Sequence, residues 1–295
     1  MTHVLVVVAA TREAYAEALG VLGRIVGAWG AEPPRVLSPW EACEWDLPSP
    51  PSDAREIVAS HMDAIDADWA VLPAAHRRKK LLVADMDSTI IGCECIDELA
   101  DYAGKKPQIA AITERAMHGE LDFEAALIAR VAMLKGLPVS VLQQCFDERV
   151  RLNPGARTLV QTMAAHGARC VLVSGGFSFF TERVAALAGF HAHRANTLLH
   201  DGGRLTGEVA RPILGRDAKL AALREESTAL GIDLAETLAL GDGANDLAMI
   251  KAAGLGVAYR AKPIVAAEAE AEIRCTDLAT ALHFQGYGLR RTKAS

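Results

Sequence analysis

Aromatic residues are scarce, at 5% of 295 positions, and there is no basic excess: 31 lysines and arginines face 37 aspartates and glutamates, for a net charge of −6. The lack of a basic stripe argues against nucleic acid as a partner. It does not exclude an anionic small molecule, because a local site can still gather positive charge. Cysteine is sparse. The six residues at 43, 93, 95, 145, 170 and 275 form neither a CxxC pair nor a dense framework, which fits reduced thiols in the cytoplasm. Cys93-x-Cys95 lacks the four ligands that zinc usually takes and reads as two small residues flanking a helix start. No window reaches the roughly 18 apolar residues of a membrane span, so no membrane partner is expected. The start, Met1 to Val8, has no basic region and is followed by Arg12 and Glu13, which does not resemble a signal peptide.

What is present is a large apolar fraction, 51%, with 23% charged residues, enough for a substantial core in two units. Residues 1–78 read as a small α+β domain. A β-branched run at 4–9 precedes a helix at 13–28 with Tyr15, Leu19, Leu22 and Val26 on one face. Short strands at 35–37 and 42–47 follow. Pro48-Ser49-Pro50-Pro51 breaks the chain, Ser52 or Asp53 caps a helix at 54–65, and a strand at 68–72 closes the unit. The order β-α-β-β-α-β implies a ferredoxin-like fold. The cluster His76-Arg77-Arg78-Lys79-Lys80 reads as a solvated linker.

Residues 79–295 read as α/β, with apolar runs at 81–84, 170–173, 237–240 and 254–257 separated by helices. This pattern predicts a doubly wound parallel sheet. One block, about 93–150, looks helical throughout and is too long for a loop, so it is expected to cap the site. A hairpin is expected at 193–209, turning at Asp201-Gly202-Gly203, and the tail from Gln285 is expected to fray.

In open α/β sheets, ligands bind beyond the carboxyl ends of the strands. Asp85-Met86-Asp87-Ser88-Thr89 follows the first run, Ser174-Gly175-Gly176 the second, and Gly241-Asp242-Gly243-Ala244-Asn245-Asp246 the third. On extended backbone Asp85 and Asp87 share a side. Adjacent carboxylates repel unless a cation or proton separates them. With Asp242 and Asp246 added, an oxygen-seeking divalent cation is implied, and magnesium fits best. Ser174 offers a hydroxyl, Gly175 and Gly176 allow close approach at a helix start, and Lys219 adds a positive charge. One carboxylate can attack phosphorus while another handles the proton. His191-x-His193 reads as an exposed loop or strand pair.

These ordered motifs resemble those of the haloacid dehalogenase-like superfamily. From about residue 81 to 259 the chain resembles phosphoserine phosphatases, as does the cap segment from Thr113 to Phe123 and the stretch from Asn196 through Thr206-Gly207. The amino-terminal unit resembles, by element order, the ACT-like extension of some members. The resemblance implies hydrolysis of O-phospho-L-serine to L-serine and phosphate, the last step of serine biosynthesis, through an aspartyl-phosphate. Asp85 would be the nucleophile and Asp87 the general acid and base. Mg2+ would be held by the Asp85 carboxylate, the Asp87 carbonyl and Asp242, with Asp246 in support. Ser174, Gly175 and Lys219 would bind phosphate, with Asn245 close by. Glu94 would face the substrate ammonium and Arg130 its carboxylate, with Met117 and Phe123 closing the pocket. Arg130 suits that role because its planar fork binds a carboxylate bidentately. Two alternatives stay open: transfer to another alcohol such as homoserine, and an amino-acid sensor without catalysis. Residues 1–78 would regulate the catalytic domain or form a homo-oligomer.

Overall fold

Residues 2–117, 122–215 and 217–289 are described in the computed structural model of the chain. The first unit runs β1 (His3–Ala9), α1 (Arg12–Ala28), β2 (Arg35–Ser38), β3 (Ala42–Leu47), α2 (Ala54–Met62) and β4 (Ala67–Pro73). Its sheet has the order β2-β3-β1-β4 and is antiparallel throughout, as the element order predicts. Alternation along β1 sends Leu5, Val7 and Ala9 to a core shared with α1 and α2, while Val4, Val6 and Val8 join the core of the rest of the chain. That double coverage explains why β1 is apolar at every position after His3. Thr11 starts α1 by accepting the Ala14 N–H at 3.1 Å. Asp53 occupies the cap position of α2 but makes no side-chain bond there, so the expected cap is not formed.

The second unit begins with β5 (Leu81–Ala84), a tight turn at Met86–Ile90, and four helices: α3 (Cys95–Tyr102), α4 (Lys106–Met117), α5 (Phe123–Ala132) and α6 (Ser140–Arg149). These are the helical cap. Then come α7 (Ala156–Ala165), β6 (Arg169–Phe177), α8 (Ser178–Ala188), β7 (Ala192–Asn196), β8 (Leu198–Asp201) and β9 (Arg204–Val209). The chain continues through α9 (Ala218–Leu230), β10 (Thr237–Gly241), α10 (Leu247–Ala252), β11 (Leu255–Tyr259), α11 (Pro263–Ala266), β12 (Ala271–Ile273) and α12 (Thr280–Phe284). The sheet order is β12-β11-β10-β5-β6-β7, with every pair parallel. Leu81 and Val83 face one core, with α9 and α10, while Leu82 and Ala84 face the other, with α7 and α8. After β5 the chain builds β6 and β7 on one side and later β10 to β12 on the other. The switch point therefore lies between β5 and β10, where a crevice opens.

Several expectations need correction. His193 and Arg194 belong to β7, the edge of the parallel sheet, and only β8 and β9 form the hairpin. His191 and His193 are exposed, as read from the sequence, and are satisfied locally: His191 Nδ1 accepts the Cys170 N–H at 3.0 Å, and His193 Nδ1 lies 2.9 Å from the Thr181 hydroxyl. Gly175 and Gly176 lie in the irregular end of β6, before the first turn of α8. The basic cluster is not solvated throughout. Arg77 pairs with Glu44 at 2.8 Å, Arg78 stacks over Tyr287 at 4.4 Å, and the Lys79 ammonium donates to the carbonyls of Ala235 and Gly254. Nor does the tail fray at once: Gln285 and Tyr287 are buried. Residues 118–121 of the cap segment and 290–295 of the tail lie outside the described residues.

Asp68 of β4 fastens the two units together. It is 3% exposed, and its carboxylate accepts the successive N–H groups of Arg274, Cys275 and Thr276 at 2.8, 2.9 and 2.9 Å, and the Thr276 hydroxyl. Each buried donor left without a partner costs roughly 1–3 kcal/mol. Asp68→Ala is therefore expected to lower stability by about 2–4 kcal/mol in chemical denaturation, allowing for water entry. A loss under about 0.5 kcal/mol would contradict the clamp.

Candidate active site

The chain leaves β5 extended at Asp85 (φ −70°, ψ 158°) and Asp87 (φ −66°, ψ 137°), then turns left-handed at Ser88 (φ 56°). The turn closes through the Ile91 N–H to the Met86 carbonyl at 3.0 Å. Asp85 and Asp87 thus face one cavity, with Met86 buried between them. Asp85 Oδ1 accepts the Met86 N–H at 2.7 Å and the Lys219 ammonium at 2.8 Å, leaving Oδ2 without a hydrogen bond among the described residues.

Asp246 is fully buried. Its Oδ1 takes the Lys219 ammonium at 2.5 Å, and its Oδ2 accepts the N–H groups of Asp242 and Gly243 at 3.2 and 3.0 Å. Lys219, on α9, therefore lies beneath Asp85 and bridges two carboxylates; it does not line the cavity. Asp242 Oδ1 accepts the Thr89 hydroxyl at 2.6 Å. Burial, and then the neighbouring Asp246 charge, raise the Asp85 pKa well above its usual value, while Lys219 opposes the rise. Burial also raises Asp242. Burial works against the Lys219 charge, but Asp85 and Asp246 outweigh it and hold the ammonium above the ordinary lysine range.

Oxygens of Asp85, Asp242 and Asp246 lie within 4.8 Å of one another. Among the described residues Lys219 is the one cation in contact with these three carboxylates, so a bound cation would relieve their mutual repulsion. The donors are all oxygen, which suits a hard divalent cation. Since both Asp246 oxygens are already engaged, the carboxylates with capacity left for an ion are those of Asp85 and Asp242.

Asp87 is held from two sides: Oδ1 accepts the Cys95 N–H at the start of α3 at 2.9 Å, and Oδ2 the Ser174 hydroxyl at 2.9 Å. The packing leaves room only for glycine in the next two positions. A Cβ on Gly175 would lie 2.8 Å from Cζ of Phe123, and one on Gly176 2.9 Å from Asp87 Oδ2.

The cavity, about 400 Å3, is walled by the cap. Asp85, Asp87, Glu94, Phe123, Arg130, Ser174, Gly175, Asp242 and Asn245 all line it, while Lys219 and Asp246 sit below its floor. The Met117 side chain lies outside the described residues. Glu94 stands at the cap position of α3 without capping it, and its Oε1 accepts the Ser88 hydroxyl at 2.6 Å. The residue keeps an exposed flank, but its carboxyl is hemmed in by the cavity wall. That desolvation, with the Asp87 charge, pushes its pKa up to about 7. Arg130 Nε donates to the Ala126 carbonyl at 3.2 Å, and no salt bridge among the described residues occupies the rest of its guanidinium. Burial lowers its pKa against the attraction of Asp97, Glu94 and Asp87.

Three polar lining residues were not anticipated: Asp97, Thr113 and Lys262. Asp97 stands in the first turn of α3, three positions after Glu94 at its cap. Lys262 lies beyond the carboxyl end of β11, at the cap position of α11.

This arrangement agrees with what the chain is similar to. The profile of the haloacid dehalogenase-like hydrolases matches residues 82–251, and the chain belongs to that family. Within it the chain falls in the phosphoserine phosphatase family. It is 47% identical over 200 residues to the phosphoserine phosphatase of Streptococcus thermophilus, covering 68% of this chain and 93% of that one. It is 44% identical over 243 residues to the phosphoserine phosphatase of Streptomyces coelicolor, covering 82% of this chain but only 59% of the longer relative. A crystal structure of a HAD family hydrolase from Salmonella enterica subsp. enterica serovar Typhi covers 98% of this chain and 99% of its own, with a TM-score of 0.87 at 28% identity. A phosphoserine phosphatase solved as a phospho-aspartyl intermediate analogue covers 70% of this chain and 99% of its own, with a TM-score of 0.65 at 37% identity.

The three carboxylates predict cation-linked stability. Magnesium at about 100 times its dissociation constant should stabilise the fold by roughly 2.7 kcal/mol. The shift should largely disappear in Asp242→Asn. An unfolding midpoint that ignores millimolar magnesium would contradict a cation site here.

Proposed function

We propose that the chain hydrolyses O-phospho-L-serine to L-serine and phosphate through a phosphoryl group carried transiently on Asp85. The observation that carries this reading is the Asp85 carboxylate itself. One oxygen is pinned by Met86 and Lys219, and the other is left for attack inside a cavity that also presents Glu94 and Arg130.

In this reading Asp85 Oδ2 attacks phosphorus while Asp87 gives its proton to the departing serine oxygen. Asp87 then takes a proton from the water that attacks the aspartyl-phosphate, releasing phosphate and restoring both carboxyl groups. The Ser174 hydroxyl, turning from Asp87 as phosphate enters, and the Gly175 N–H hold phosphate oxygens, with Asn245 beside them. Lys219, from its contact with Asp85, opposes the burial that would otherwise protonate the nucleophile. Magnesium would be held by Asp85, the Asp87 carbonyl and Asp242, and when bound supplies the charge that lets a phosphate and a carboxylate approach each other. Asp246 supports it by fixing the turn that carries Asp242.

Substrate choice belongs to the cap. Arg130 takes the serine carboxylate, Glu94 its ammonium, and Phe123 closes over them. An ammonium beside Glu94 would favour its ionised form, against the desolvation that raises its pKa. Both named relatives are phosphatases, which favours water over an alcohol as acceptor. Every expected catalytic position is filled, which disfavours a silent sensor. The reading includes a cytoplasmic location, supported by six unpaired thiols. It also gives the first unit a regulatory or oligomeric role, supported by the free edge strand β2 with Val36 54% exposed and, beside it, Trp40 58% exposed.

The test compares phosphoserine with p-nitrophenyl phosphate. A charge-assisted hydrogen bond is worth about 1.5–3 kcal/mol, so Arg130→Ala and Glu94→Gln should each cost about ten- to hundredfold in kcat/KM on phosphoserine. They should cost little on the aryl phosphate, which lacks both groups. Equal losses on both substrates would remove these residues from substrate reading.

A further inference from the structure

Asn196, the last residue of β7, is 3% exposed and lies outside the cavity wall. A buried amide has to find partners for both its ends. Here Nδ2 donates to the Gly175 carbonyl at 2.9 Å and to the Leu214 carbonyl at 3.3 Å, and Oδ1 accepts the Leu214 N–H at 2.8 Å. One side chain therefore joins three segments: the end of β7, the bulged end of β6, and the stretch leading into α9 with Lys219.

The bond to Gly175 reaches further. A peptide unit is planar and trans, so fixing its carbonyl fixes the N–H on its opposite edge. The N–H of this unit belongs to Gly176 and donates to Ser174 Oγ at 2.8 Å. Having accepted there, the Ser174 hydroxyl donates to Asp87 Oδ2 at 2.9 Å. Every donor in the series points the same way: Asn196 amide, Gly175–Gly176 peptide, Ser174 hydroxyl, Asp87 carboxylate. Such a chain is cooperative, because a group that accepts a bond becomes a better donor. The Cys95 N–H holds the other Asp87 oxygen, so Asp87 has one partner from the cap and one from this chain.

We propose that Asn196 is a positioning residue for phosphoryl transfer, setting the Gly175–Gly176 peptide and through it the Ser174 hydroxyl and the Asp87 carboxylate. This rests on the roles given above to Ser174 and Asp87. It makes the orientation of the acid and of the phosphate cradle depend on a residue that touches neither substrate nor metal. Asn196 acts on the phosphoryl side of the cavity, and Glu94 and Arg130 are untouched by it.

Asn196→Asp is the discriminating change. It keeps the shape and the acceptor for Leu214 but replaces the donors to Gly175 and Leu214 with an acceptor. Misplacement of reacting groups by about 1 Å costs on the order of 100-fold. The expected result is a fall in kcat of about ten- to hundredfold, equal on phosphoserine and p-nitrophenyl phosphate, with KM for phosphoserine changed less than about threefold. Coupling to Ser174 supplies a readout that a purely structural role would not move. In the Ser174→Ala background the chain is already cut, so adding Asn196→Asp should cost little more, whereas independent effects would multiply. If Asn196→Asp does not fold, Asn196→Ala, which is uncharged and also removes the donor to Gly175, carries the same cycle. Unchanged kcat in a folded variant, a loss confined to phosphoserine, or multiplicative losses in the cycle would each overturn the proposal. A wild-type chain inactive on phosphoserine would instead sink the functional reading on which it rests.

Discussion

Like charges forced together at one end of a buried sheet are the constraint around which this molecule is organised. Asp85 follows one strand and Asp242 another, and Asp246 lies underneath with no exposure to solvent. Lys219 reaches in from α9 to touch two of the three. The turn after β10 is formed around the Asp246 carboxylate, which takes the main-chain N–H groups of Asp242 and Gly243. Thr89 binds Asp242, and its own carbonyl accepts the Asn153 amide at 2.8 Å, carrying the arrangement to the segment that re-enters from the cap. The repulsion that remains would make the site receptive to a cation and, in the proposed reading, to the phosphoryl group a cation brings with it.

The cap is fastened to the catalytic sheet through the hairpin. The Gly136 N–H donates to the Leu205 carbonyl, the Leu205 N–H to the Leu137 carbonyl, and the Val139 N–H to the Gly203 carbonyl, all at 2.8–2.9 Å. Phe123, at the first position of α5, packs on Gly175 so closely that no side chain fits between them. The two halves of the proposed chemistry are thus held by different parts of the fold. Strand ends and α9 carry the phosphoryl side, while α3 and α5 carry the groups that read the amino acid. Variants in one half should leave the other half's behaviour recognisable.

Much of this was legible in the sequence, for a physical reason. A strand buried on both faces is apolar throughout, and functional polar residues follow it directly, so 81–84 with Asp85 and 237–240 with Asp242 announce both strand and site. Elements without that signature are either assigned to the wrong neighbour, as β7 is to the hairpin, or absent from the reading, as β12 is. β7 is a half-exposed edge carrying histidine and arginine, and β12 is only three residues long. The basic cluster was misread because charge on a linker looks local, whereas Arg77 meets Glu44 and the end of α12, and Lys79 meets loops near 235 and 254. In the sequence Asn196 stands out only as the start of a stretch that resembles the family. Its partners are 18 and 21 residues away, and nothing in its neighbourhood of the chain marks it as connected to the site.

The central claim is that Asp85 carries the phosphoryl group, and trapping that species tests it most directly. The chain is mixed with phosphoserine labelled at phosphorus, quenched in acid within the first turnover, digested, and the label located. The account predicts a hydroxylamine-sensitive label on the peptide containing Asp85, in an amount no greater than the chain present, and none in Asp85→Asn. Rapid release of phosphate with no label on Asp85, or with label on another residue, would contradict it.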